Sequence, residues 1–236
     1  MVLTSLFDGR LEPLTYSIGF LRAPPERVAR AARWLYFRWP DAWRRVAVLD
    51  GGLEEALLQL QPLGGFLHPR VLVASTALEG WSAVFDGDAR GQGVRGVSVR
   101  LARALRVPGY FVAAAPPALD PEHFPGFRQF YVLGPQTGRD HVRAVWVGEE
   151  EDVGRWHFGT DGEVQPYEDV EAYRRRRHTD RLTEQMLVDY AAAVGLRPWE
   201  DSFYRPPFHL ITSLRLGRDR FQRTLAQVRT EMKLDE

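Results

Sequence analysis

From Gln129 to Tyr167 the chain alternates short β-prone runs with turn signals, and this alternation restricts its fold more than any other feature. The runs are Gln129 to Leu133, Val142 to Val147, Trp156 to Phe158 and Val164 to Tyr167. Gly134-Pro135, Glu149 to Gly154 and Asp161-Gly162 separate them. Strands so close in sequence pair antiparallel, because a parallel pair needs a long crossover between its members. The expectation is a meander, with Val142, Ala144 and Trp146 on one face of its second strand.

Both kinds of element flank this stretch. Leu14 to Leu21 reads as a strand, and Pro24-Pro25-Glu26 opens a helix whose Val28, Ala31, Ala32 and Leu35 recur at helical spacing. Val46 to Leu49 reads as a strand and Leu53 to Leu60 as a helix. Val71 to Ala74 and Trp81 to Phe85 read as a hairpin, Val97 to Leu105 as a helix and Tyr110 to Ala114 as a central strand. After the meander, Asp169 is placed to cap a helix carrying Tyr173 and a run of arginines. Thr183 is placed to cap another, which Gly195 ends. Arg218 to Lys233 reads as a polar, loosely attached helix. The sum is one compact α+β domain over residues 1–215, with a mixed or largely antiparallel sheet and flanking helices. The proline loop at 116–125 is its best candidate sub-boundary, and a C-terminal helix covers 216–236.

Composition narrows the chemistry. At 44% hydrophobic residues, with 13 Phe and 7 Trp, the chain can build a large core. It has no cysteine, which excludes disulfides, thiolate catalysis and cysteine-ligated metals. Acids and bases balance at 31 each, so the basic excess of a nucleic-acid binder is missing. No apolar run is long enough to span a bilayer, and the first residues do not read as a secretory signal, so a soluble cytoplasmic chain is expected. Lys233 is the only lysine, Asn is absent, and Ile occurs only at Ile18 and Ile211. All three types have AT-rich codons, so a GC-rich genome explains them, and arginine richness by itself is no phosphate signal.

Reactive motifs are incomplete. Gly91-Gln92-Gly93-Val94-Arg95-Gly96 has dinucleotide-loop spacing, but Asp86 to Arg90 separate it from the preceding strand. The next strand also ends in Ala113-Ala114-Ala115-Pro116, without the ribose-binding acid. Ser98 begins a nucleophile elbow that Arg100 breaks. Asp219 with Glu231-Met232-Lys233 spells a nuclease-like pattern in a terminal helix, the wrong element for converging metal ligands. The six histidines never stand at short ligand spacing. Asp86 and Asp88, after a strand end, are the best catalytic candidates. With the Gly91–Gly96 loop they define an alternative reading as an enzyme of phosphate-bearing substrates. No cofactor and no metal are expected.

Charge is segregated despite a net charge of zero. Glu149-Glu150-Glu151-Asp152 is followed by Arg174-Arg175-Arg176-Arg177. Such separation costs self-repulsion and suits a surface that meets a partner. Glu149, Glu150, Glu151, Asp152, Trp156, Arg174, Arg175 and Arg177 are the expected partner-binding residues. As a helix, the arginine run would radiate to all sides and pair with Glu168, Asp169 and Glu171.

Gly80-Trp81-Ser82-Ala83-Val84-Phe85-Asp86, Gly154-Arg155-Trp156-His157-Phe158, Gln165-Pro166-Tyr167-Glu168, Asp180-Arg181-Leu182-Thr183 and Phe203-Tyr204 together resemble uncharacterised bacterial α+β proteins, some of them similar to immunity proteins of polymorphic toxin systems. The resemblance spans most of residues 70–205 and rests on aromatic, structural motifs. It implies a non-enzymatic inhibitor that neutralises a cognate toxin by covering it, with no catalytic residues to carry over.

Overall fold

A computed structural model describes residues 4–35, 43–64, 70–117, 126–135, 139–149, 155–214 and 222–235. Nine strands form one sheet: β1 (Ser17–Leu21), β2 (Trp43–Leu49), β3 (Arg70–Thr76), β4 (Ser82–Asp86), β5 (Gly109–Ala115), β6 (Phe127–Leu133), β7 (Arg143–Glu149), β8 (Trp156–Gly162) and β9 (Tyr204–Leu214). Their order is β2-β9-β3-β4-β1-β5-β6-β7-β8. Every neighbouring pair is antiparallel. Five α-helices accompany the sheet among the described residues: α1 (Pro25–Leu35), α2 (Leu53–Leu58), α3 (Val94–Leu105), α4 (Glu184–Ala193) and α5 (Leu225–Glu231). The fold is α+β. No helix among the described residues is long and apolar enough to cross a membrane.

The period-2 alternation of strands sorts side chains onto two faces. One row reads Val48, His209, Val73, Val84, Gly19, Phe111, Tyr131, Ala144 and Asp161 across the nine strands. This face lies under α1 and α3. A Cβ on Gly19 would stand 1.9 Å from Ser98 Oγ, so glycine is what lets α3 settle onto β1. The opposite row reads Leu49, Phe208, Ala74, Ala83, Phe20, Tyr110, Val132, Arg143 and Gly162. Here the sheet packs against α4 and the segment that leads to β9. Phe130 meets Tyr167 and Tyr190, and Phe20 meets Phe203.

The first three strands of the expected meander are present as β6 to β8, and the expected hairpin as β3 and β4. Thr183 caps α4 by accepting a hydrogen bond from Met186 N–H, and Gly195 follows its end at φ +79°. Several expectations need correction. Val164 to Tyr167 is not a strand, and β8 instead runs through Asp161 and Gly162. Residues 10–16 are turns, so β1 begins at Ser17.

The longest strand, β9, has no counterpart in the sequence reading, and its Pro206-Pro207 would ordinarily interrupt a ladder. The register explains how it forms. Ala74 pairs with Phe208 while Ser75 pairs with Arg205, so both prolines sit in a bulge facing no partner residue.

The C-terminal helix is not loosely attached. Leu225, Val228 and Met232 are buried, and Arg229 Nη1 donates to the carbonyls of Gly9, Arg10 and Glu12 at 2.7, 3.2 and 3.2 Å.

Candidate functional site

Two of the sequence-predicted contact residues, Glu149 and Trp156, stand at one end of β7 and β8. They are paired residues at the base of that hairpin. Glu149 turns inward: its N–H donates to the Gly126 carbonyl at 2.9 Å, and its Oε2 accepts from Gly126 N–H at 3.3 Å. Glu150, Glu151 and Asp152 lie outside the described residues. Trp156 is half-buried beneath the Arg128 guanidinium, 5.4 Å from ring centre to Cζ. Arg128 is fixed in turn, donating to the carbonyls of Leu182 (2.6 Å) and Thr179 (3.0 Å). Burial pulls its pKa below the ordinary arginine value. The Trp156 carbonyl, on the sheet edge, accepts from Nδ1–H of His178. Residues separated in sequence by the whole acid-to-base transition therefore meet at this corner.

The arginine run is not an α-helix, contrary to its sequence reading. A 3₁₀ turn covers Ala172–Arg174, Arg175 and Arg177 are extended, and a second 3₁₀ turn covers His178–Asp180. An α-helix needs an apolar stripe to bury, and in this stretch only Ala172 is buried. Arg174 pairs with Glu171 at 3.1 Å. Arg175 donates to the Asp180 carbonyl at 3.0 Å and lies 3.8 Å from Asp169. The Arg177 carbonyl accepts from Asp180 N–H at 3.2 Å, while the side chains of Arg176 and Arg177 are exposed and, among the described residues, make no hydrogen bond or ion pair.

Behind this surface stands a buried polar cluster that sequence reasoning missed. Glu168, expected to pair with the arginine run, binds Arg143 of β7 instead. Arg143 Nε and Nη2 donate to its two oxygens at 2.9 and 2.6 Å, and the two side chains are 4% and 1% exposed. Gln165 N–H and Tyr173 O–H donate to the same carboxylate at 2.9 and 2.8 Å. Tyr190 O–H completes the chain, donating to Tyr173 at 3.0 Å and accepting from Asp169 N–H at 2.9 Å. Every proton in the relay points toward Glu168. Burial pulls the Arg143 pKa down, and Glu168 more than offsets it. Burial first, then the bonds to Tyr190 and Glu168, holds the Tyr173 hydroxyl protonated. One signal was available: Arg143 shares strand parity with Val145 and Val147, so a cation sits on an otherwise apolar face.

Asp86, Asp88 and the Gly91–Gly96 segment also come together. Asp86 lies at the end of β4 and is buried. Its Oδ1 accepts from Asp88 N–H at 3.2 Å. Asp88 Oδ2 accepts from Gln92 N–H at 2.9 Å and Gly93 N–H at 3.2 Å. The amides that would cradle a phosphate are thus taken by the chain's own carboxylate. The glycines serve packing: a Cβ on Gly91 would meet the Pro13 carbonyl at 2.4 Å, and one on Gly93 would meet Asp86 Oδ2 at 2.3 Å. Gly96 lies inside α3, and Ser98, the elbow candidate, is fully buried in the same helix with its hydroxyl unpartnered. Burial, then the charge of Asp88, pushes the Asp86 carboxyl up to about 7.

Beside this loop Ser17, Gln92, Arg95, Phe111, Phe127 and Gln129 line a cleft of about 100 Å³. Arg95, while lining it, lies over the Tyr131 ring and donates to that hydroxyl at 3.2 Å. Among the described residues, no group of three or more His, Asp or Glu could hold a metal ion. Comparison with known protein families, curated proteins and solved structures gave no match.

Proposed function

We propose that this chain is a non-enzymatic protein-binding protein whose contact surface is the corner built by the base of β7–β8 and residues 172–181. The observation that carries the reading is the pair Arg176 and Arg177. Both side chains are exposed and without a partner among the described residues, on backbone tied down by Asp180 N–H to the Arg177 carbonyl and Arg181 Nε–H to the Arg175 carbonyl. Guanidiniums presented this way match carboxylates in a two-pronged geometry. Glu149, the first residue of the acidic run, stands at the same corner, and in this reading the run meets a basic cleft of the partner. Charges on such a rim steer association more than they add affinity. The most concrete form is an immunity-type inhibitor that neutralises a cognate toxin by occlusion.

The test uses the product of the adjacent gene. Wild-type chain is expected to bind it and to restore growth of cells expressing it. Arg176→Glu/Arg177→Glu should keep the thermal midpoint, bind at least tenfold more weakly through slower association, and lose protection. Absence of binding and protection by the wild-type chain overturns the reading. Salt-sensitive binding to DNA or RNA in its place would assign the same arginines to phosphates.

A second reading, an enzyme of phosphate-bearing substrates, draws support from one observation: Asp86 holds a carboxyl near neutrality beside the Ser17–Gln129 cleft. It requires that Asp86→Asn abolish turnover of a nucleotide or nucleic-acid substrate while the variant remains folded.

A further inference from the structure

The first turn of α3 borders the cleft of about 100 Å³ between that helix and the sheet. A molecule of liquid water takes ~30 Å³, so the space suits a ligand of a few heavy atoms. Its lining divides by chemistry. Phe111 and Phe127 are buried and supply the apolar part. The Ser17 hydroxyl is committed, donating to the Gly91 carbonyl at 2.5 Å. Gln92 and Gln129 are not: neither side-chain amide has a hydrogen-bond partner among the described residues, and Gln129 is half-buried. A partly buried amide without a partner has lost water that a ligand would replace.

Arg95 is the one charged residue on the lining, which holds no carboxylate. Its Nη1 donates to the Tyr131 hydroxyl at 3.2 Å, and its Cζ stands 5.6 Å from the centre of that ring. These contacts fix the guanidinium and leave its other N–H groups unspent among the described residues. A carboxylate matches such a lining. It brings one negative charge and two oxygens in the plane onto which a guanidinium forks, with lone pairs left for the two amides. A phosphate dianion fits less well. Asp88 already adjoins the cleft, accepting from Gln92 N–H at 2.9 Å, so a second negative charge would meet repulsion and no partner.

We propose that this cleft binds a short-chain carboxylate, its oxygens on Arg95 and the amides of Gln92 and Gln129 and its alkyl end against Phe111 and Phe127. The site shares no residue with the Arg176–Arg177 surface and does not rest on that reading.

Propionate titrated into the full chain should shift the backbone amide resonances of residues 91–95 and 127–129 and saturate at millimolar concentration or below. Propionamide, of the same shape without the charge, should bind at least tenfold more weakly. Arg95→Met and Gln129→Leu should each weaken propionate at least tenfold. Arg30→Met, which removes an exposed cation of α1, should bind as the wild type does. The comparison of propionate with propionamide needs no variant, so it decides the matter even if Gln129→Leu fails to fold. Shifts that never saturate, propionamide binding as tightly as propionate, or a folded Arg95→Met that binds like the wild type each overturn the proposal. So does inorganic phosphate binding more tightly than propionate, which would give the cleft to phosphate-bearing ligands instead.

Discussion

Glu168 collects four hydrogen bonds on one buried carboxylate, two of them from Arg143. A buried ion pair need not be more stable than an apolar replacement, but removing one partner strands the other charge. Glu168→Ala is therefore expected to cost about 3–5 kcal/mol in urea unfolding. Tyr173→Phe, which removes one donor, should cost about 1–2 kcal/mol. Equal, small losses in both variants would show that the cluster is not cooperative.

Asp86 behaves in the opposite sense. Its ordinary value is 3.8, and in the folded chain burial and then Asp88 push it to about 7. The folded state thus keeps a proton that the unfolded chain releases above pH 4. The associated stability is fully present below the unfolded value and is lost as pH rises through the folded one. Asp86→Asn should therefore stabilise the protein by on the order of 2–4 kcal/mol at pH 8 and change little at pH 4. A gain independent of pH would contradict this ionisation.

At the scale of elements, the contact between α3 and β1 is the tightest helix–sheet approach that the glycines reveal. A Cβ on Gly19 would lie 1.9 Å from Ser98 Oγ and 2.9 Å from Ser98 Cβ. Gly19→Ala is expected to cost about 1–3 kcal/mol by overpacking. Ser98→Gly should recover part of that loss in the double variant, despite the helix penalty of glycine. Ser98→Ala alone should be neutral or stabilising, because the buried hydroxyl has no partner. A double-mutant cycle without coupling would place the strain elsewhere.

The same scale explains what can be read from the sequence. The meander and the hairpin of β3 and β4 are legible because alternation and turn residues are local signals. Asp86, Asp88 and the glycines converge because they are nearly contiguous. Two features are hidden for physical reasons. β9 tolerates Pro206-Pro207 only because a bulge in its partner's register removes the need for their missing donors, and register is not a local property. Arg143 with Glu168, and Tyr173 with Tyr190, meet through the packing of the segment after β8 onto the sheet, which no sequence spacing announces. The arginine run misleads for a simpler reason: its helical propensity says nothing of what a helix there would bury.

Across the whole molecule, the last described helix secures the first described segment. Leu6, Leu11 and Leu14 are buried in the segment before β1, and α5 adds Leu225, Val228 and Met232 to the same core. Arg229 bridges the two through three backbone carbonyls, and Leu63 pairs with Arg223 just ahead of α5. Glu12 lies within the charge of Arg229, yet burial still raises its pKa above the ordinary value. Turn-rich backbone without strands of its own depends on such outside donors, because each buried carbonyl left unpaired is costly. Removing residues 222–236 should therefore do more than expose three apolar side chains, worth about 1.5–3 kcal/mol each. Amide exchange should accelerate throughout residues 4–16, while β5 to β7 stay protected up to the new, lower global stability. Arg229→Met, which keeps the packing of α5, should reproduce the faster exchange at 4–16 with a smaller loss of stability. Unchanged exchange there in both variants would mean that the segment is held by its own leucines, and that α5 is only a cover.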